Sequence, residues 1–161
     1  MTFDSLDFRR ALGSFATGVT VVTARDGTGA HRGLTVNSFS SVSLEPPLIL
    51  FCLDKATPSF ESLCEAERFA VNVLRAEQHE LSVRFATAAI DKWDGVAYDL
   101  WAGDLPVLRG CLANLACRQE KLHDGGDHVI VVGRVERLHA AGEGEPLVYF
   151  KSTYRSIGPS V

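Results

Sequence analysis

LANLACRQEK (112–121), LHDGGD (122–127) and HVIVVGRVER (128–137) stand in succession in the last third of the chain. The outer two read as extended segments, and the middle one as the turn between them. Gly125 and Gly126 supply the positive φ that such a turn needs, so the stretch reads as a β-hairpin. Working outward, Pro146 to Lys151 offers one more short strand. Upstream, Phe69, Val71 and Val73 alternate with Ala70 and Asn72, which is strand periodicity. Leu48 to Leu53, set off by Pro46-Pro47, is a continuous apolar run suited to a strand buried on both faces. Val19 to Ala24 is another β-branched run, followed by turn chemistry in Asp26-Gly27-Thr28-Gly29. Gly33 to Ser43 reads as one further strand of odd composition.

Helical signals are fewer. Asp4 or Ser5 can cap a short opening helix whose Phe8, Leu12 and Phe15 share a face. Thr57-Pro58 resembles an N-cap and first-turn proline of a helix reaching about Ala66. Leu81 and Phe85 are spaced i, i+4 on a helix from about Glu77 to Ala86. Thr87 to Pro106 has no regular pattern and reads as a long surface loop. Strands outnumber helices and connections are short. That predicts a mainly β architecture, a closed or partly closed barrel with a few peripheral helices, since closure disposes of edge strands.

Length and composition bound the function. The 161 residues suit a single domain spanning 1–161, and 46% hydrophobic with 22% charged is ordinary for a globular chain. A formal charge of -4 with no basic run argues against nucleic acid as a partner. No apolar run approaches the roughly 20 residues that cross a bilayer, so no membrane partner is expected. The opening residues lack an apolar signal core. Cys52, Cys64, Cys111 and Cys117 contain no C-x-x-C pair and read as reduced thiols, which suits a cytoplasmic protein.

Recognisable catalytic motifs are missing: no G-x-G-x-x-G, Walker A loop, G-x-S-x-G elbow or H-E-x-x-H occurs. Cys111, Cys117, His123 and His128 tempt a zinc assignment. On a strand, however, the two cysteines would lie about 20 Å apart at ~3.3 Å per residue, too far for one metal. The hydroxyl-rich run from Thr35 to Ser43 fits either a ligand-lining strand or a solvent-facing one. Lys55, Thr57 and Ser59 sit at a predicted helix start, which serves either an anion or simply the cap. His128, closing the glycine turn, faces either a ligand or the neighbouring Asp124 and Asp127.

Taken in order, several short blocks resemble the short-chain flavin reductase family, the reductase components of two-component flavin-dependent monooxygenases. They are FRRALG (8–13), FATGVTVVT (15–23), GLTVNSF (33–39), SVSL (41–44) with Pro46-Pro47, FAVNVL (69–74), Leu81-Ser82, Phe85-Ala86, Gly126-Asp127-His128, and Val132-Gly133 with Val135. The resemblance implies a split β-barrel of the FMN-binding type, assembled as a homodimer with flavin in a groove near the subunit interface. It implies reduction of FAD or FMN by NADH or NADPH, the reduced flavin diffusing to a separate monooxygenase. By position it implies that Thr35, Asn37 and Ser38 line the flavin, with Ser41 close by. Asp54, Lys55 and Ser59 match the ribityl-phosphate or pyrophosphate region, and Arg84 and Phe85 a second phosphate-side contact. His128 matches a position near the nicotinamide nucleotide, and Tyr154 one that closes over the flavin. Asp91-Lys92-Trp93 departs from the family's commoner Asp-Lys-Phe but keeps an aromatic. Hydride passing from nicotinamide C4 to flavin N5 needs no catalytic side chain and no metal, because both reacting atoms belong to small molecules. A non-catalytic flavin- or haem-binding protein on the same barrel is the alternative.

Overall fold

The computed structural model describes residues 2–88 and 91–158. In chain order these form α1 (Ser5–Leu12), β1 (Thr17–Gly18), β2 (Thr20–Arg25), β3 (His31–Val36), β4 (Ser40–Leu44), β5 (Pro47–Asp54), α2 (Phe60–Glu65), β6 (Arg68–Val73) and α3 (His79–Ala86). The second half is all strand: β7 (Tyr98–Trp101), β8 (Leu105–Leu108), β9 (Ala113–Gly125), β10 (His128–Ala140), β11 (Val148–Phe150) and β12 (Thr153–Arg155).

One seven-stranded antiparallel sheet, in the order β3-β2-β6-β9-β10-β5-β4, carries the fold. It curls around a core built from Val22, Ala24, Val36, Ile49, Phe51, Leu53, Phe69, Val71, Cys117 and Val131. The curl brings β3 back towards β5 without hydrogen bonds between their strands. Instead Ser38 spans the seam: its Oγ accepts from the Cys52 N–H at 2.9 Å and donates to the Cys52 carbonyl at 3.2 Å. The result is mainly β and split: a barrel open along one seam, with short helices around it.

The 112–137 stretch forms the long hairpin its sequence suggests, extended to 113–125 and 128–140 and turned by only Gly126 and Asp127. Of the paired glycines, Gly126 takes positive φ (79°). The expectation for β5 is corrected. Ile49, Phe51 and Leu53 are buried, but Leu48, Leu50 and Cys52 on the other face stay half-exposed. Strands buried on both faces are β2, β6 and β8. In β2, Val22 and Ala24 enter the barrel core, while Val19, just before the strand, and Val21 join a second cluster with Leu74, Phe85, Leu108, Cys111 and Leu147.

Two further readings change. Gly33 to Ser43 is two strands, broken at Asn37–Phe39 where the chain crosses the seam. The loop expected over 87–106 contains strand β7, with β8 beginning at Leu105, and this second hairpin covers the outer face of the sheet. A buried amide network fixes it there. Asn72 Nδ2 donates to the Val21 carbonyl at 2.9 Å and its Oδ1 accepts from the Leu108 N–H at 3.0 Å, while Thr23 donates to the Pro106 carbonyl at 2.5 Å.

Candidate functional site

The open seam makes a groove of about 630 Å³, a size typical of small-molecule sites. One wall is β3 and its continuation, from His31 to Ser38. The other is the end of β5 and the turn into α2, with Cys52, Asp54, Thr57, Pro58 and Ser59. Phe85 from the end of α3 and Asp91 to Trp93 close one side, and His128 contributes from the start of β10.

β3 is the terminal strand of its sheet, bonded to β2 alone. Its other edge therefore presents main-chain N–H and C=O groups to the groove, alternating donor and acceptor. Such an edge matches a planar heterocycle that carries its own alternating polar atoms.

Eight of the candidate binding residues singled out from sequence meet here: Thr35, Asn37, Ser38, Asp54, Thr57, Ser59, Phe85 and His128. They are not equally free. The Thr35 hydroxyl donates to the Ser82 carbonyl at 2.6 Å, anchoring β3 to α3, and Ser38 is engaged with Cys52. Asp54 caps the following turn by accepting from the Ala56 N–H at 2.8 Å. Asn37 is exposed, and Ser59, at the N-cap of α2, makes no side-chain capping bond. Phe85 is fully buried and contributes through its ring, because Gly33 leaves room for it.

Four residues lie outside the lining of this groove, each for a visible reason. Lys55 reaches across to the hairpin tip, donating to Asp124 Oδ1 at 2.5 Å and the Gly126 carbonyl at 2.7 Å. That cation holds the Asp124 carboxyl below the usual carboxylate range. Arg84 donates to the Asp94 carbonyl. Tyr154 pairs with the Ser82 hydroxyl at 2.8 Å and stands edge-on to His79. Ser41 lies on β4, beyond the seam crossing.

His128 is oriented by its neighbour: Nδ1 and Asp127 Oδ1 are 2.7 Å apart, and the imidazole lowers the Asp127 pKa. Register sets His128 directly opposite Asp54 on β5, so the hairpin tip and the β5–α2 turn form one end of the groove. Sequence reasoning gives no sign of His31 and Arg32 in the lining, and Asp91-Lys92-Trp93 stands out there only by its departure from the family's commoner Asp-Lys-Phe. Among the described residues, no group of three or more His, Cys, Asp or Glu is placed to hold a metal ion.

Chemically, the site offers a groove with polar and aromatic walls. Among the described residues nothing in it is arranged as a nucleophile and its base. It suits holding ring systems rather than attacking them.

Known proteins share both the sequence and this architecture. The profile of a family described as "Flavin reductase like domain" matches residues 12–158. The reductase subunit HsaB of a flavin-dependent monooxygenase from Rhodococcus jostii is 40% identical over 156 residues, covering 97% of this chain and 80% of that protein. FMN reductase (NADH) SmoA from Agrobacterium fabrum is 45% identical over 146 residues, 91% of this chain and 82% of that one. Among solved structures, the NADH:FAD oxidoreductase of Streptomyces globisporus, in complex with NAD and FAD fragments, superposes with a TM-score of 0.92 at 37% identity. It covers 97% of this chain and 94% of that one.

Proposed function

We propose that this chain, which belongs to the flavin reductase-like domain family, is an NADH-dependent flavin reductase supplying reduced flavin to a separate monooxygenase. The observation that carries the reading is the groove along the split seam, with an unpaired strand edge on one wall and hydroxyls on both.

The residues present fit a flavin. The free edge of β3 and the Asn37 amide offer donors and acceptors to the polar rim of an isoalloxazine. Thr57 and Ser59 offer hydroxyls to the ribityl and phosphate portion, and Trp93, backed by the buried Phe85 ring, gives a ring surface. Flavin and nicotinamide, when bound, supply the hydride chemistry themselves. What the chain does is align two rings within about 3.5 Å and exclude water from between them. Main-chain N–H groups of the strand edge stabilise negative charge as it develops, without a titrating side chain. His128, held by Asp127 at the groove end, is assigned to the nicotinamide nucleotide.

The test is direct. Purified protein should oxidise NADH when FAD or FMN is added and not in its absence. Crossing the two flavins with NADH and NADPH then ranks the pairs. Failure of every combination would end the reading.

Four further features belong to it. The four cysteines are free, which supports residence in a reducing cytoplasm, and no described helix is long and apolar enough to cross a membrane. Reduced flavin leaves by diffusion through the open groove. The working form is a homodimer, because large apolar side chains on the surface (Phe15, Leu44 and Leu138 among them) are left uncovered by the described residues. Residues 1–161 act as one domain, the two core clusters being fed by opposite faces of β2.

A further inference from the structure

Three pieces of chain meet at one wall of the groove without pairing as strands: Gly33 on β3, Phe85 in the last turn of α3, and Asp91–Trp93. Lys92 joins them. Its Nζ donates to the Phe85 carbonyl at 2.8 Å and to the Gly33 carbonyl at 3.3 Å. The next residue, Trp93, stands edge-on to Phe85 and Tyr98, each 5.2 Å away between ring centroids, and to His31 at 5.3 Å. A Cβ on Gly33 would fall 2.5 Å from Phe85 Cε1 and 3.5 Å from Trp93 Cζ2, so no other residue admits this packing unchanged.

A lysine is a costly way to build such a wall if scaffolding were its only task. Burial pulls the Lys92 ammonium below the ordinary lysine value, and among the described residues no carboxylate forms an ion pair with it. A methionine would fill similar space without desolvating a charge. What it could not do is hold two carbonyls on separate elements at one point. The Phe85 carbonyl lies in the last turn of α3, where helix carbonyls lack an onward partner and a cation is favoured.

We propose that Lys92 is a positioning residue for the flavin: by tying the Gly33 and Phe85 carbonyls together, it fixes Trp93 and the β3 edge as a rigid wall against which the ring system lies. This rests on the flavin reductase reading for the identity of the ring. The amine touches no reacting atom and acts through the wall.

Lys92→Met and Lys92→Arg are compared with the unaltered protein by three measurements. These are near-ultraviolet circular dichroism without ligand, flavin Kd by fluorescence titration, and NADH turnover at saturating flavin. Lys92→Met should lose the aromatic dichroism of the Trp93–Phe85–Tyr98 cluster and bind flavin about tenfold more weakly, the value of one charge-assisted hydrogen bond. Its kcat at saturating flavin should stay within about twofold. Lys92→Arg, which keeps charge and donors, should recover the aromatic signal and most of the affinity. Unchanged flavin affinity in Lys92→Met overturns the inference, as does a loss of affinity with the aromatic signal intact. If Lys92→Met does not fold, Lys92→Gln replaces it, and flavin binding equal to wild type is then the refuting result. Protein that binds flavin in a Lys92-dependent way but never reduces it would refute the enzymatic reading and leave this inference standing.

Discussion

Two glycines illustrate how single residues divide between holding the fold and shaping the site. Gly33 and Gly133 are both strand residues with φ in the ordinary range, and both exist to admit an aromatic ring: Phe85 in one case, Phe69 in the other. Adding a Cβ overpacks either contact, at about 1–3 kcal/mol. Gly33→Ala and Gly133→Ala should therefore both lower the melting temperature. Only Gly33→Ala should also weaken flavin binding, because only Phe85 lines the groove. Equal flavin affinity in the two variants would count against the Phe85 wall. The thiols divide similarly. Burial pushes Cys111 up to about 11 and Cys117 to about 12, whereas Cys52 and Cys64 are half-exposed. Thiol reagent at neutral pH should label Cys52 and Cys64 ahead of the buried pair, with flavin protecting Cys52 in the groove. Since the folded thiols hold their protons beyond the ordinary value of 9, their contribution is intact below that pH. For Cys117 it falls as pH rises from there towards about 12, which alkaline unfolding curves of Cys117→Ala against wild type would reveal as a flatter slope. The hydroxyl-rich Thr35–Ser43 run is legible in the sequence as chemically unusual. Which hydroxyls are spent on Ser82 and Cys52 is not, since those partners come from other elements.

Elements read from sequence fared according to how local their causes are. The long hairpin 113–140 follows from its own glycine turn and alternation, and it was legible at once. β3 and β4 were read as one strand because the break at Asn37–Phe39 comes from the barrel's curvature, which no local pattern records. β7 and β8 stayed hidden because Pro106 argues against a strand. It is tolerated because its hairpin pairs on one side only and its carbonyl is taken by Thr23. The hairpin tip yields a prediction at this scale. Lys55 ties it to the β5–α2 turn through Asp124, Gly126 and a main-chain bond to the Asp127 carbonyl at 3.0 Å. The ion pair is solvent-exposed, so Asp124→Asn should leave global stability almost unchanged. It should nevertheless release the tip that carries His128, raising the nicotinamide KM several-fold while flavin Kd hardly moves. A matching rise in both constants would mean that the tip shapes the whole groove instead.

At the scale of the whole molecule, several large apolar side chains stay uncovered by the described residues. α1 is capped well, with Asp4 accepting from the Leu6 and Asp7 amides, each at 2.8 Å, yet none of its residues is buried. Phe8 and Leu12 are more than half exposed, and Phe15, expected on the same helical face, lies beyond the helix end at 78% exposure. An eight-residue helix has little stability of its own, so its apolar stripe needs a partner. Leu44, 95% exposed on the edge strand β4, poses the same question on the open side of the sheet. Sequence periodicity showed that α1 has an apolar face, but it could not show that none of the described residues would meet it. The homodimer proposed above would cover such surfaces, because a self-complementary interface uses the same patch on both copies. Sedimentation at micromolar concentration should therefore give the mass of a dimer. Leu44→Glu, which places a charge on the uncovered edge without touching either core, should shift the population towards monomer while leaving far-ultraviolet dichroism unchanged. Flavin affinity should drop along with the dimer if the groove is completed by the neighbouring copy, and should hold steady if each seam works alone. A wild-type monomer at that concentration would remove the dimer from the account while leaving the groove and its chemistry intact.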